Sequence, residues 1–176
     1  MSRVTLSTAM SLDGFVTDPQ DDAATSRIVF DEGKATGAVV TGRPTGDVAG
    51  YRDGDGDGDG DGDDHDGVPI FVPTHRAPAD SPLRLVHYVT DGIEACVARA
   101  KEAAGDRDVL LHGAATAQAA LRAGVLDVIE IQLRPVLLGR GRLLFDQLPP
   151  DHIELDLVRA LEAPGVLHLR YEVRRR

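Results

Sequence analysis

The stretch "HGAATAQAALRAGVLDVIEIQLRPVLLGRGRLLFDQL", residues 112–148, decides the fold of this chain. It begins at the end of a short apolar run, 108–113, that has the pattern of a strand ending in glycine. Residues 114–124 then have the small and apolar residues of a helix, and Gly124 takes the place that glycine prefers just after a helix. From 125 to 139, apolar and polar residues alternate as they do in a strand. Strand, helix and strand in this order are typical of an α/β sheet.

The same kind of pattern continues upstream. Short apolar or alternating runs predict strands at 3–9, 38–42, 68–74 and 84–89. A helix is predicted within 26–37, with Ser26 as its N-cap and Gly37 as its stop. A second helix is expected to run from a cap at Asp91 to about Ala104.

The chain ends in two long alternating segments, 152–163 and 166–174, joined at Pro164-Gly165. This pattern predicts an antiparallel β-hairpin. We therefore expect an α/β fold, with a mixed, mostly parallel sheet flanked by helices and a C-terminal hairpin. At 176 residues the chain is long enough for one hydrophobic core, so residues 1–176 are expected to form a single domain.

Charge and composition exclude several classes of function. The eight aspartates within 53–66 account for all but two of the ten net negative charges, and the rest of the chain has no stripe of Lys and Arg for binding nucleic acid. The single cysteine, Cys96, lies in an apolar-periodic run, where burial is expected and a reactive thiol is the alternative. The histidines do not have the spacing of a metal site, so no metal is expected. No apolar segment is long enough for a membrane helix, and we expect a cytoplasmic protein that does not bind membranes.

The tract "RDGDGDGDGDGDDHDG", residues 52–67, has two possible interpretations. Aspartates stand at positions one, three and five of a calcium-loop pattern, but position eight is Gly60 and position twelve is Asp64, where an apolar residue and a glutamate belong. Alternating Gly and Asp cannot bury apolar surface and repel each other, which favours a flexible surface loop. A calcium-responsive module remains the alternative.

Three segments place small or polar residues where an apolar run ends: "TGRPT" (41–45), "THR" (74–76) and "HGAAT" (112–116). Ligands of open α/β sheets bind at such strand ends, because helix N-termini offer free N–H groups to phosphate. Each segment alone is more often a site of tight packing than of ligand binding. The occurrence of three in one chain favours a phosphate-containing ligand.

The segments "AMSLDGFV" (9–16), "ATGAVVTGRPT" (35–45), "VPIFVPTHR" (68–76) and above all 112–148 resemble the dihydrofolate-reductase-like family. Within this family, the chain resembles the C-terminal reductase domain of bifunctional riboflavin-biosynthesis enzymes and its stand-alone bacterial counterparts. The resemblance covers most of the chain in the same order. It implies a three-layer dihydrofolate-reductase-like fold and an NADPH-dependent reductase, which transfers hydride to a small ring-containing, pterin- or pyrimidine-like substrate.

The resemblance also implies a set of site residues. Those implied to bind NADPH are Ala9, Gly42, Arg43, Thr45, Thr74, His75, Arg76, Gly113, Ala114, Ala115 and Thr116. Asp13 and Phe15 would border the substrate cleft and His112 would face it, with Asp13 as the candidate catalytic residue. The residues themselves also allow a simple turn role for Asp13 and a packing role for His112. Relatives often have a second glycine at the position of Ala114.

Members of the family commonly form dimers, so a homodimer is implied, with the C-terminal hairpin as its interface. The alternative function is a non-catalytic nucleotide-binding protein on the same fold.

Overall fold

A computed structural model of the chain describes residues 2–17, 36–42, 67–78, 84–148 and 151–174. Within these residues the chain forms ten strands and two helices. The strands are β1 (Val4–Ser11), β2 (Phe15–Thr17), β3 (Thr36–Thr41), β4 (Ile70–Pro73), β5 (Val86–Val89), β6 (Asp108–His112), β7 (Val128–Arg134), β8 (Arg142–Leu143), β9 (Leu155–Ala163) and β10 (Val166–Val173). The helices are α1 (Ile93–Ala104) and α2 (Ala114–Arg122).

Eight of these strands form one sheet in the order β5-β4-β3-β6-β1-β7-β10-β9. The first six are mutually parallel, and β10 runs antiparallel to both β7 and β9. The strands β2 and β8 form a separate antiparallel pair. The predicted mixed, mostly parallel sheet with a C-terminal hairpin is therefore confirmed.

One face of this sheet, which we call the helix-covered face, is apolar throughout. Val4, Leu6, Leu111 and Ile129 are almost fully buried there and pack with residues of both helices in one cluster. Branched side chains suit this position, because they fill the pleated surface of a sheet that helices cover. This cluster is the main core of the described part of the chain.

Cys96 is a residue of α1 that points into this core. Its side chain is fully buried, and burial raises the pKa of its thiol to about 12. The thiol is therefore protonated at neutral pH and is not a nucleophile. The expectation that Cys96 is a buried core residue is confirmed.

The opposite side of the sheet, the second face, divides into two halves. On β3, β4 and β6 it is apolar, with Val39, Ile70, Val72 and Leu110 forming a second cluster. On β1 and β7 it is polar, and the polar side chains are buried. We call this part the polar half; its buried residues are Thr5, Ser7, Glu130 and Gln132.

Two predicted helix ends are wrong. Gly37 is not a helix stop but a residue of β3, and a Cβ placed on it would lie 2.8 Å from backbone atoms of Ala104 at the end of α1. Asp91 is not the cap of α1, because the N-cap is Gly92 with a φ of 93°, a conformation that favours glycine. The Asp91 carboxylate instead accepts a hydrogen bond of 2.6 Å from Arg99.

Other predictions fall partly outside the described residues. The structure does not describe residues 26–35 of the predicted helix. It also does not describe residues 52–66 of the acidic tract. The strand predicted at 84–89 begins only at Val86, because a turn precedes it. Gly124, in contrast, follows α2 with a φ of 67°, as its sequence position indicated. The single-domain organisation stays a prediction.

Candidate active site

The carboxyl ends of the parallel strands meet at one edge of the sheet. Ala9 lies near the end of β1, Gly42 follows β3, Thr74 follows β4 and His112 ends β6. Because β4, β3, β6 and β1 are consecutive neighbours, these residues form a row across the edge. The structure therefore brings the described parts of the three segments 41–45, 74–76 and 112–116 to one side of the molecule. Arg43 and Thr45 lie outside the described residues.

The amino end of α2 is the part of this edge best suited to bind an anion. Gly113, with a φ of 89°, turns the chain from β6 into the helix, and no side chain caps the helix N-terminus. The first intrahelical hydrogen bond runs from the Ala117 N–H to the Gly113 carbonyl over 2.9 Å. The N–H groups of residues 114–116 therefore have no partner within the helix, and no acidic side chain stands in the first turn. With the positive end of the helix dipole, this arrangement fits a pyrophosphate.

Ala114 fits this interpretation although relatives often have glycine there. The residue is only 4% exposed and belongs to the core cluster beneath the helix. Its methyl group therefore packs against the protein, and the residue still contributes to the lining of the neighbouring cleft. Ala115 is exposed, while Thr116 is buried.

A cleft of about 640 Å³ opens beside this helix end. Phe15, Ala114, Ala115, Gln118 and Arg142 are among the residues that line it. Sequence reasoning missed Gln118, although it stands one turn after Ala114 on the same side of α2. The Gln118 Nε2 donates a hydrogen bond of 2.9 Å to the Leu144 carbonyl, which fixes the wall of the cleft to the helix.

The turn after β4 uses its threonine to hold its own shape. The Thr74 Oγ1 donates to the Arg76 carbonyl over 3.0 Å and accepts from the Arg76 N–H over 3.3 Å. The Thr74 N–H donates to the Val89 carbonyl over 2.9 Å, which joins the turn to β5. His75 and Arg76 are exposed at the tip of the turn.

Asp13 acts as a structural link between two loops at this edge. Its Oδ1 accepts hydrogen bonds from the Ser11 hydroxyl at 2.6 Å and the Leu138 N–H at 3.1 Å, and its Oδ2 accepts one from the Gly139 N–H at 2.7 Å. The Ser11 hydroxyl and then the Gly139 N–H lower the pKa of the Asp13 carboxyl below its usual value. The carboxylate is thus ionised and held to the chain after β7. A catalytic role for it stays a prediction.

Phe15 begins β2 and His112 ends β6. The Phe15 N–H donates to the Ser11 hydroxyl over 3.0 Å, which directs the chain from β1 into β2. His112 is half-buried, and its partner in the sheet is Thr41, whose fully buried hydroxyl has no hydrogen-bond partner in the described part of the chain.

Ser7 and Gln132, in the polar half, are functional candidates that the sequence did not indicate. Gln132 is paired with Ala9 in the sheet and is 8% exposed. Its Nε2 lies 3.4 Å from the Ser7 hydroxyl oxygen, while its Oε1 is buried without a partner among the described residues. A buried amide oxygen without a hydrogen bond costs about 1–3 kcal/mol. Such a group needs a reason, and a ligand is one.

The fold places the chain in a class, the dihydrofolate-reductase-like proteins. The model of the family described as "RibD C-terminal domain" matches residues 2–169, so the chain belongs to this family.

Solved structures agree on the fold. A putative riboflavin biosynthesis protein from Shewanella sp. PV-4 is 21% identical, with a TM-score of 0.75 over 99% of this chain and 100% of that one. A diaminohydroxyphosphoribosylaminopyrimidine deaminase/5-amino-6-(5-phosphoribosylamino)uracil reductase from Thermotoga maritima is 16% identical, with a TM-score of 0.69 over 98% of this chain and 56% of that one. Dihydrofolate reductase from Enterococcus faecalis, complexed with NADP(H) and RAB-propyl, is 15% identical, with a TM-score of 0.62 over 97% of this chain and 96% of that one. The expected dihydrofolate-reductase-like fold is confirmed.

A comparison with curated protein sequences gives no significant match. Among the described residues, no helix is long and apolar enough to cross a membrane. The same residues contain no group of three or more His, Cys, Asp or Glu side chains that could hold a metal ion.

Proposed function

We propose that this protein is an NADPH-dependent reductase that acts on a small pyrimidine- or pterin-like ring. The observation that carries the proposal is the uncapped N-terminus of α2, which opens on a cleft at the carboxyl edge of a mostly parallel sheet. The family assignment supports a reductase of the pyrimidine-reductase type and does not favour the non-catalytic alternative.

The chain's own residues would divide the binding of the cofactor between them. The N–H groups of residues 114–116 hold the pyrophosphate, and Gly42 lets a ligand approach the end of β3 closely. Arg76, exposed on a turn that Thr74 fixes, holds the 2′-phosphate, with His75 beside it. Arg43 and Thr45 add phosphate donors by analogy with the family. When bound, NADPH supplies a hydride to the substrate ring.

The end of β1 would position the reacting groups. Ala9 leaves room for a flat ring against the strand, and Phe15 lines the cleft. His112 ends the neighbouring strand β6, and by analogy with the family it would face the substrate. Asp13, whose oxygens bind Ser11, Leu138 and Gly139, acts as a positioning residue that keeps the end of β1 in place.

The proposal is tested by titrating the protein with NADPH and with NADH while following thermal unfolding. A ligand that binds only the folded state must raise the melting temperature by mass action. We expect a rise with NADPH and a smaller one with NADH, and Arg76→Gln should reduce the difference. No shift at millimolar NADPH would refute the proposal.

We further propose that the protein is a homodimer that pairs through its C-terminal hairpin. Leu157 and Leu161 are 59% and 51% exposed on β9, which is the edge strand of the sheet. Leu155 and Val158 extend this apolar surface. An exposed apolar edge strand favours association with another chain, and a second copy offers the same surface.

Light scattering tests the dimer. The variant Leu157→Lys/Leu161→Lys should be a monomer at concentrations where the wild type is a dimer. The matched control is Leu137→Lys, which replaces an exposed leucine outside β9 and β10. A monomeric wild type would contradict the proposal.

The remaining expectations keep their status as predictions. A calcium-responsive role rests on the tract at 52–67, of which only Gly67 is described, and the family assignment does not favour it. The cytoplasmic location stays a prediction.

A further inference from the structure

The polar half of the second face is unusual because it is both buried and central. β7 has β1 on one side and β10 on the other, so it is an interior strand of the sheet, and its residues Glu130 and Gln132 are buried. Gln132 faces the same side as Ala9 and Ser7, since paired residues of neighbouring strands share a face. It is therefore adjacent to the strand end against which the proposed function places the reacting ring.

A charged neighbour of Gln132, Glu130, is already paired. Glu130, two residues earlier on the same face, forms a salt bridge with Arg170 of β10. His168 stands opposite Gln132 on β10. Glu130 and Arg170 therefore pair with each other, whereas the Gln132 amide has, among the described residues, only the long contact with Ser7.

The orientation of the amide does not change this conclusion. If its oxygen and nitrogen exchanged places, one end would still meet the Ser7 hydroxyl and the other would still be buried without a partner. An apolar side chain would fill the same space without desolvating a polar atom, as the apolar half of this face shows. The amide is thus better explained by a ligand than by packing.

We propose that Gln132, oriented by Ser7, binds the cyclic amide edge of the substrate ring. This inference rests on the proposed function. A primary amide presents one donor and one acceptor side by side, and the –NH–C(=O)– edge of a pyrimidinone or pterin presents the complementary pair. Two parallel hydrogen bonds would then fix the ring beside Ala9. Gln132 is accordingly a specificity-determining residue, and its ligand class is a heterocycle with an unsubstituted ring amide.

The test uses 5-aminouracil and 5-amino-1,3-dimethyluracil, which lacks both ring N–H donors. Each is titrated by calorimetry into NADPH-saturated wild type, Gln132→Met and Ser7→Ala. The control is Thr5→Val, which replaces another buried polar residue on the same face of β1. Melting temperatures without ligand check that every variant folds.

We expect wild type and Thr5→Val to prefer 5-aminouracil. Gln132→Met should weaken 5-aminouracil binding about tenfold, because two hydrogen bonds to a buried edge are lost, and should leave the dimethyl compound unchanged. Ser7→Ala should have a smaller effect. NADPH affinity should stay within about twofold in all variants, and Gln132→Met should be at least as stable as wild type.

Other outcomes would overturn the inference. Equal binding of 5-aminouracil by wild type and Gln132→Met would do so, as would a wild type that binds NADPH but neither ring compound. A loss confined to NADPH affinity would show that Gln132 binds the cofactor's carboxamide instead. Failure of wild type to bind NADPH at all would refute the proposed function itself, so the two failures are distinguishable.

Discussion

The two faces of the central sheet are built from the same strands but differ in the kind of residue that they bury. On the helix-covered face, residues such as Leu6, Leu111 and Ile129 form a continuous apolar core with α1 and α2. On the second face, the apolar cluster ends at β6, and most second-face residues of β1 and β7 are buried polar groups instead. Side chains of neighbouring residues alternate between these faces, so each strand serves both purposes.

The difference between the two faces indicates which residues stabilise the fold and which residues are placed to bind a ligand. The apolar side chains of the helix-covered face stabilise the fold. They leave no room for a ligand, because they fill the space between the sheet and the helices. Buried polar groups cost free energy unless they are paired, so their placement beside a strand end indicates a binding role or an internal pair. Substitutions should therefore cost most stability in the apolar core of the helix-covered face and least at the carboxyl edge of the sheet.

The largest effect is expected from Leu111→Ala on the helix-covered face. Leu111 is fully buried, and removing its side chain should lower the free energy of unfolding by about 2–5 kcal/mol. Urea denaturation measures this loss. NADPH affinity of the folded variant should not change, and a destabilisation below about 1 kcal/mol would show that this face is not the main core.

A smaller effect is expected from the Glu130–Arg170 pair in the polar half. The two side chains are 11% and 23% exposed, so the pair is largely removed from solvent. Either Glu130→Gln or Arg170→Met should cost about 1–3 kcal/mol, because the remaining charge is left in a poor environment.

A double-mutant cycle gives the control for this pair. Glu130→Gln/Arg170→Met should be closer to the wild type in unfolding free energy than the less stable single variant, because no charge is left unpaired. Additive losses would contradict the interpretation of these residues as one internal pair.

The smallest effect on stability is expected from Asp13→Asn at the carboxyl edge. The folded pKa of Asp13 lies below its usual value, so its contribution is complete above the usual carboxyl pKa and is lost as the pH falls through the folded value. The wild type should therefore be more stable than Asp13→Asn at neutral pH, and the difference should shrink in acid. Thermal unfolding across this pH range measures it, with Asp106→Asn at an exposed turn as the control. A difference independent of pH would exclude the carboxylate's charge as its cause.

The sequence predicted the main strands and helices of the second half because each has a strong local signal. Gly124 ended α2 where expected, and the residues after it formed β7. The polar half could not be predicted, since alternation in β7 normally indicates one solvent-facing side and says nothing of what covers it. Gly37 was misread because its reason is a contact with Ala104, which lies 67 residues away and has no local signature.

The site shows the same limit. The junction of β6 and α2 was predicted, because a strand that ends in small residues before a helix is a local pattern, while the binding role of its residues stays a prediction. The hydrogen bonds of Asp13 to Leu138 and Gly139 are long-range in sequence, so only the structure shows that its carboxylate links two loops.

Calorimetric titration of NADPH into Ala115→Asp tests the central claim most directly. Ala115 is exposed in the first turn of α2. An aspartate there would interact favourably with the helix dipole but would repel a bound phosphate. The variant should be as stable as wild type and bind NADPH at least about tenfold more weakly, whereas Ala98→Asp, at an exposed position within α1, should bind it normally. Wild-type affinity in Ala115→Asp would contradict the placement of the cofactor at this helix end.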